Sequence, residues 1–165
     1  MPEIPGETEG QRVLILPWVR PYRGRRDTDP QGSGVFGASR DGGTRRHLGL
    51  DLVSVPGDEV VSPIFGTITR IGWAYKDGKL GSMTIEGRDQ HKGATVKLLY
   101  VKASLQSGLD VDAGYIVGYA EDVAAYHEAK GHGGMTNHVH GELTMIVDPG
   151  QYLPALTVPP GDLRA

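Results

Sequence analysis

The sequence contains no cysteine among its 165 residues, which excludes disulfide bonds and thiolate metal ligands. Any metal ion would therefore be bound by histidine, aspartate or glutamate. The formal net charge is −3, and this balance lacks the basic footprint of a nucleic-acid-binding protein, so we expect no nucleic-acid partner. No apolar run approaches the roughly 18 residues that a membrane helix requires, so we expect no membrane span.

The chain length and its two ends predict the domain organisation. The start, MPEIPGETEG, lacks the basic and apolar regions of a Sec signal peptide. A chain of 165 residues is long enough to bury one core. We therefore expect residues 1–11 to be a flexible tail, residues 12–155 to be a single domain and residues 156–165 to be a C-terminal tail, in a monomeric protein.

Glycine and proline are abundant, with 25 and 11 residues, and they separate short runs rich in β-branched residues. This punctuation predicts an all-β fold, an antiparallel sandwich or barrel. Residues 12–19, RVLILPWV, predict a first strand, and residues 120–131 predict either a helix or a loop with a single turn. Residues 20–46 lack periodicity, and their seven arginines are either a solvated surface or a patch for an anionic partner.

Two short motifs concentrate metal-ligand chemistry. His138 and His140 stand at alternate positions of HVH, so on a strand they point to the same face. This arrangement suits either two imidazoles aimed at one ion or two solvated histidines. His47 and Asp51 flank Gly49 in HLGLD, and on a strand these three positions also share one face.

Together the two motifs supply two imidazoles and one carboxylate if His47 and Asp51 act with one histidine of the HVH pair. This is a common ligand set for Zn²⁺, with a fourth position left to water. A zinc site with an open position can make hydroxide available near neutral pH. The remaining histidine of the pair would then be placed to shuttle a proton or to stabilise an oxyanion.

The order FGASR, HLGLD, PGDEVVSPIFGTITRIG, LLYVK, VDAGYIVGY and NHVHGEL resembles that of the lysostaphin-type zinc endopeptidases of peptidoglycan, across roughly residues 34–145. The resemblance implies that His47, Asp51 and His140 are the zinc ligands and that His138 is the catalytic base. It also implies the fold of that family, the duplicated hybrid motif. That fold is an antiparallel β-sheet core with long loops that form a groove over the zinc site.

One position departs from the family, which has a second catalytic histidine in its YxH motif. The matching stretch here is Tyr100-Val101-Lys102, so Lys102 replaces that histidine. A lysine is ordinarily a cation that can donate to an oxyanion but cannot act as a base at neutral pH. The same YxK, together with NHVH and DPGQYL, resembles the leukocyte cell-derived chemotaxin-like branch, whose zinc domains are regarded as signalling modules.

Several other residues are candidates for the groove. Arg40 is expected either to bind a substrate carboxylate or to brace its loop, and Tyr100 either to contact substrate or to pack in the sheet. His132, like His127, is expected either at the surface or over the metal in place of the missing histidine. Glu142 follows HVH at another alternate position, where it would either orient an imidazole or be solvated.

These predictions lead to two main hypotheses and a third. The first is a zinc metalloendopeptidase that cleaves the peptide cross-links of bacterial cell wall, with His138 and Lys102 as catalytic residues. The second is a zinc-binding module that binds peptide, glycan or a protein partner. The third is a component of a phage tail or a secretion machine. Without a Sec signal, we expect a protein made in the cytoplasm that acts at the cell wall or periplasm after non-classical export, lysis or virion delivery.

Overall fold

The structure is a computed structural model that describes residues 14–152. One layer is a six-stranded antiparallel sheet. Its strands are, in spatial order, β12 (Asp110–Val111), β8 (Gly66–Trp73), β9 (Gly81–Gly87), β10 (Ala94–Leu99), β14 (His138–Met145) and β6 (Leu50–Val53). The predicted antiparallel all-β fold is confirmed.

The second layer is a four-stranded antiparallel sheet with the order β1 (Val19–Arg20), β7 (Glu59–Val61), β13 (Ile116–Ala120) and β11 (Val101–Ala103). The hydrophobic core lies between the two sheets because both contribute buried side chains to one cluster. From the smaller sheet come Val60, Val101 and Val117, and from the larger sheet come Ile68, Met83, Ile85, Val96, Leu98 and Val139.

The alternation of buried and more accessible residues explains why these stretches form strands. Along β9, Met83 and Ile85 are buried while Thr84 between them is partly accessible. Successive side chains of a strand point to opposite faces, so the apolar residues all reach the core. Glycine, aspartate and proline between the runs limit most strands to a few residues.

Residues 20–46 contain more pairing than the sequence indicates. Two small hairpins form, β2 (Thr28–Asp29) with β3 (Gly32–Ser33) and β4 (Ser39–Arg40) with β5 (Arg45–Arg46). The interpretation of all seven arginines as either solvated surface or an anion patch is wrong for Arg26. Its side chain is only 3% exposed, because it is covered by other residues of segment 20–46.

The predicted first strand is shorter than expected. Of residues 12–19, Arg12 and Val13 lie outside the described residues, and only Val19 belongs to β1, which continues to Arg20. Pro17 lacks a backbone N–H and so cannot donate to a ladder. Trp18 instead turns inward, where its indole Nε1–H donates to the carbonyl of Val139 at 3.1 Å.

Helix is scarce, as predicted. The helix expected within residues 120–131 is α1 (Val123–Glu128), and the Asp122 side chain caps its start by accepting from the backbone N–H of Ala125 at 2.8 Å. Short 3-10 helices span Asp41–Gly43, Asp89–His91 and Pro149–Tyr152. Within residues 14–152, no helix has the length and apolar character needed to cross a membrane. The predicted tails 1–11 and 156–165 lie outside the described residues.

Candidate metal centre

The pairing of β14 with β6 places one ligand candidate beside another. His140 lies directly opposite Asp51 in the antiparallel register, so their side chains share one face of the sheet. Val139 and Leu52, the residues of opposite parity, point into the core. The pleat therefore separates an apolar face from a face that carries His138, His140 and Asp51.

His47 reaches the same point from outside the strand. Strand β6 begins only at Leu50, so the expectation that His47 and Asp51 share a strand is wrong. The His47 backbone pairs instead with the preceding loop, where its N–H donates to Ala38 and its carbonyl accepts from Gly37, both at 2.8 Å. His47 therefore lies in the loop segment that precedes β6, and its side chain approaches Asp51 from outside the sheet.

The three ligand-type atoms converge closely. His140 Nδ1 lies 2.9 Å from His47 Nε2 and 2.9 Å from Asp51 Oδ1. His47 Nε2 lies 3.2 Å from the same carboxylate oxygen. All three side chains are buried, so solvent does not separate them. Such a triangle of two imidazole nitrogens and one carboxylate oxygen could hold a metal ion.

The outer nitrogens of both imidazoles are bound to acceptors. His47 Nδ1 lies 2.9 Å from the carbonyl of Val35, and His140 Nε2 lies 3.0 Å from Glu142 Oε1. A carbonyl and a carboxylate only accept, so each outer nitrogen carries the proton and each inner nitrogen of a neutral ring presents a lone pair. Three electron pairs then face one another, which a shared cation would stabilise. Such contacts to the outer atoms also orient metal-binding imidazoles.

The ionisation states favour cation binding as well. Burial acts to raise the pKa of the Asp51 carboxyl, but the imidazoles of His140 and His47 beside it outweigh burial, and the pKa is lowered. Burial acts to lower the pKa of His140, but the carboxylates of Asp51 and Glu142 beside it outweigh burial, and the pKa is raised. The site thus keeps Asp51 ionised, as a metal ligand must be, and the carboxylate of Glu142 increases the basicity of the His140 imidazole, as it commonly does at metal sites.

Two glycines make room on the two faces of the sheet, one for the His140 ring and one for the Trp18 ring. A Cβ at Gly49 would lie 2.5 Å from His140 Cε1 and 2.4 Å from the carbonyl oxygen of Gly141. A Cβ at Gly141 would lie 2.5 Å from the Trp18 ring on the other face of the sheet. The imidazole therefore lies close over Gly49, and Trp18 packs against Gly141 of β14 on the opposite face.

We expect Gly49→Ala to destabilise the protein by about 1–3 kcal/mol and to reduce metal binding, because the new methyl group would displace His140. Urea denaturation and zinc stoichiometry measure the two effects. Gly72→Ala is the matched control in strand β8, because its Cβ would meet the nearest atom, Ser82 Oγ, at an ordinary 3.5 Å. Equal stability and equal zinc content in the two variants would contradict this packing account.

Arg26 is the main residue of the site that the sequence did not indicate. Its Nη1 donates to Asp51 Oδ2 at 3.0 Å, while Nε and Nη2 donate to the two carboxylate oxygens of Asp29 at 2.8 and 2.7 Å. The paired guanidinium and the backbone N–H of Thr136 help lower the pKa of Asp29 to about 2, against the opposing effect of burial. No motif marks Arg26 within its arginine-rich segment. Only its spacing of three residues to Asp29 hints at a pair.

His138 lies beside the three converging atoms. Its Nδ1 donates to the carbonyl of Thr136 at 2.7 Å, which leaves Nε2 as the lone pair of the neutral ring, 3.5 Å from Asp51 Oδ2. Burial lowers the pKa of His138, so the ring is neutral at physiological pH. A neutral, buried imidazole with a free lone pair is equipped to accept a proton.

Lys102 and Tyr100 occupy different environments. Lys102 lies in β11 opposite Tyr119 with an exposed side chain, and within residues 14–152 no hydrogen bond or ion pair joins it to the three converging side chains. Tyr100 packs edge-on against His138, with ring centroids 5.3 Å apart. The aromatic residue is thus the one in contact with the site. The catalytic role of Lys102 stays a prediction.

The other candidates lie further out. Arg40 Nη2 donates to the carbonyl of Ser33 at 2.6 Å, a contact that braces its own loop. His132 is exposed, and its backbone N–H donates to the carbonyl of His127 at 2.9 Å. Substrate binding by Arg40, Tyr100 and His132 stays a prediction. Of the two alternatives for Glu142, orienting an imidazole or being solvated, its contact with His140 Nε2 agrees with the first.

Comparisons with known proteins identify the architecture. No protein-family model and no curated protein matches the chain. Among solved structures, a zinc-containing peptidase from Vibrio cholerae matches with a TM-score of 0.56 and 19% identity, over 82% of this chain and 37% of the other. The catalytic domain of the antimicrobial peptidase lysostaphin from Staphylococcus simulans matches with a TM-score of 0.50 and 21% identity, over 73% and 84%. Helicobacter pylori Csd3 matches with a TM-score of 0.55 and 18% identity, over 87% and 35%.

These matches show that the chain has the fold of the lysostaphin-type peptidases. The matched part is 37% of the Vibrio cholerae protein, 35% of Csd3 and 44% of lysostaphin. It is 84% of the isolated lysostaphin catalytic domain. The shared unit is therefore one domain of larger proteins.

Proposed function

We propose that this protein is a zinc-dependent endopeptidase that hydrolyses peptide cross-links of bacterial peptidoglycan. The observation that carries the proposal is the convergence of His47 Nε2, Asp51 Oδ1 and His140 Nδ1 within 3.2 Å of one another, beside the buried His138. A lysostaphin-type fold around a site of this composition supports the peptidase class. The peptidoglycan substrate rests on the resemblance to that family.

His47, Asp51 and His140 would hold the zinc ion, with two nitrogen ligands and one oxygen ligand as zinc prefers. A zinc ion bound there would polarise the scissile carbonyl and acidify a water molecule. His138 Nε2 then accepts a proton from the attacking water as its oxygen bonds to the carbonyl carbon. His138 returns the proton to the departing amine nitrogen as the C–N bond breaks. The contact with Thr136 fixes the tautomer that this role requires.

A zinc-binding module without activity is a second candidate, because Lys102 is exposed on β11 where the resemblance expects a second catalytic histidine. Such a module would keep the three ligands for stability and would bind peptide, glycan or a protein partner. A module that binds the glycan or peptide of the wall predicts that the protein sediments with insoluble peptidoglycan and releases nothing, whereas one that binds a protein partner predicts neither sedimentation nor release.

Digestion of purified peptidoglycan separates these two functions. We expect the zinc-loaded protein to release free amino groups without new reducing sugar ends, and a chelator to abolish the release. Restoring zinc should recover it. A fully zinc-loaded protein that releases no amino groups from walls of several cross-link types would contradict the peptidase proposal.

A further inference from the structure

Apart from a bound zinc ion, the site described so far offers no hydrogen-bond donor to the carbonyl oxygen that gains negative charge during peptide hydrolysis. Preorganised donors at that point are usually the largest single contribution to such catalysis. The Arg26 guanidinium is already directed at Asp29, Asp51 and the carbonyl of Gly32. The free nitrogen of His138 is needed for proton transfer. Neither side chain is therefore available as a hydrogen-bond donor that would act on this oxygen together with the metal.

Tyr100 is held against the site by an unusual backbone. Its φ is +70°, a left-handed conformation that is costly for a bulky side chain and that often marks functional positions. The surrounding backbone enforces it, since Tyr100 N–H donates to Gly81 at 2.8 Å and its carbonyl accepts from Glu121 at 3.0 Å. The result is a ring that meets the His138 ring edge-on, at an interplanar angle of 86°.

The Tyr100 hydroxyl is the inner end of a hydrogen-bonded chain. It lies 2.9 Å from the Tyr75 hydroxyl, which in turn lies 3.1 Å from His127 Nε2. Tyr75 is fixed by stacking on Tyr126, with ring centroids 5.0 Å apart and planes at 6°. His127 lies in helix α1, so a half-buried histidine near the surface is linked to the ring that contacts His138.

The protonation states suit a chain of donors. Burial raises the pKa of Tyr100 and of Tyr75, so both hydroxyls keep their protons. Burial, together with nearby positive charges, lowers the pKa of His127, so its ring is neutral and can carry its single proton on Nε2. Consecutive hydrogen bonds polarise one another, which strengthens the terminal donor.

We propose that Tyr100 donates a hydrogen bond to the carbonyl oxygen of the scissile peptide, and that Tyr75 and His127 are positioning residues that hold and polarise its hydroxyl. His127 Nε2–H donates to Tyr75, Tyr75 O–H donates to Tyr100, and Tyr100 O–H is left for the substrate. Tyr100 thereby fills the role that the sequence assigns to Lys102. This inference rests on the proposed function for its substrate.

A binding experiment tests the donor without requiring activity. Acetohydroxamate, whose oxygens resemble a charged carbonyl oxygen, is titrated into the zinc-loaded protein by calorimetry. We expect Tyr100→Phe to weaken its binding about tenfold while zinc content stays unchanged. Tyr119→Phe, which removes a hydroxyl from β13, is the control and should bind as the wild type does. Equal affinity in the Tyr100→Phe and wild-type proteins would overturn the proposal.

An activity experiment tests the chain. We expect Tyr100→Phe to lower kcat about 100-fold with little change in KM. His127→Gln, which keeps a donor, should retain more activity than His127→Leu, which does not. Equal losses in the two His127 variants would overturn its positioning role. If the wild-type protein cleaves no wall, the proposed function fails, and acetohydroxamate binding alone then decides the role of Tyr100.

Discussion

Replacement of Arg26 by methionine is expected to destabilise the protein by about 3–5 kcal/mol, the cost of removing one partner from a buried ion pair. The guanidinium is 3% exposed, and its two partners, Asp29 and Asp51, are 9% and 2% exposed. Methionine preserves much of the aliphatic length but leaves both carboxylates without their counter-charge. The apo protein should show the full effect, because bound zinc would still neutralise Asp51.

Urea denaturation with and without zinc measures this effect. Arg25→Met is the matched control, since it removes the same charge from the adjacent, exposed position and should change stability by less than about 0.5 kcal/mol. Arg26→Lys should lie between the two, because an ammonium keeps the charge but not the planar fork. Similar unfolding midpoints for Arg26→Met and Arg25→Met would show that the buried pair does not stabilise the site.

Substitution of the two histidines of HVH should have different effects: one variant should lose both metal and activity, and the other should lose activity alone. We expect His140→Ala to lose bound zinc and, with it, all cleavage, because one of three ligands is missing. We expect His138→Gln to keep full zinc while peptidoglycan cleavage falls about 10²–10⁴-fold, the usual contribution of a general base. Elemental analysis and amine release, measured on the same preparations, give both quantities.

A different outcome would contradict each of these two expectations. Full zinc in the His140→Ala protein would exclude His140 as a ligand. Substantial cleavage by zinc-loaded His138→Gln would exclude His138 as the base. His91→Gln is a suitable control for removing a buried histidine, because His91 accepts from the backbone N–H of Phe65 at 3.1 Å. It should lower stability without changing zinc content.

The sequence predicted the antiparallel all-β fold because turn residues and β-branched runs recur at short intervals. The HVH motif could be interpreted because alternation on a strand is a local property, and the register of β14 with β6 then places His140 opposite Asp51. Local periodicity failed at His47. Its backbone pairs with the loop at Gly37 and Ala38, and that pairing depends on the course of an irregular segment.

The contacts of the supporting residues could not be predicted because they arise from the tertiary fold. Arg26 has the same composition signal as its exposed neighbours, and only the folded loop buries it. Tyr75 lies 25 positions before its partner Tyr100 and 52 positions before its partner His127. No sequence motif links the three residues. The substitution at Lys102 drew attention to the Tyr100-Val101-Lys102 stretch, but the sequence does not show the positive φ of Tyr100 or its ring contact with His138.

Anomalous X-ray diffraction at the zinc edge tests the central claim most directly. For crystals of protein purified without added metal, we predict a single strong peak within about 2.0–2.2 Å of His47 Nε2, Asp51 Oδ1 and His140 Nδ1, with at least one coordination position not filled by protein. A zinc-replete protein whose peak lies elsewhere, or whose metal is bound by His138 in place of His140, would contradict the account.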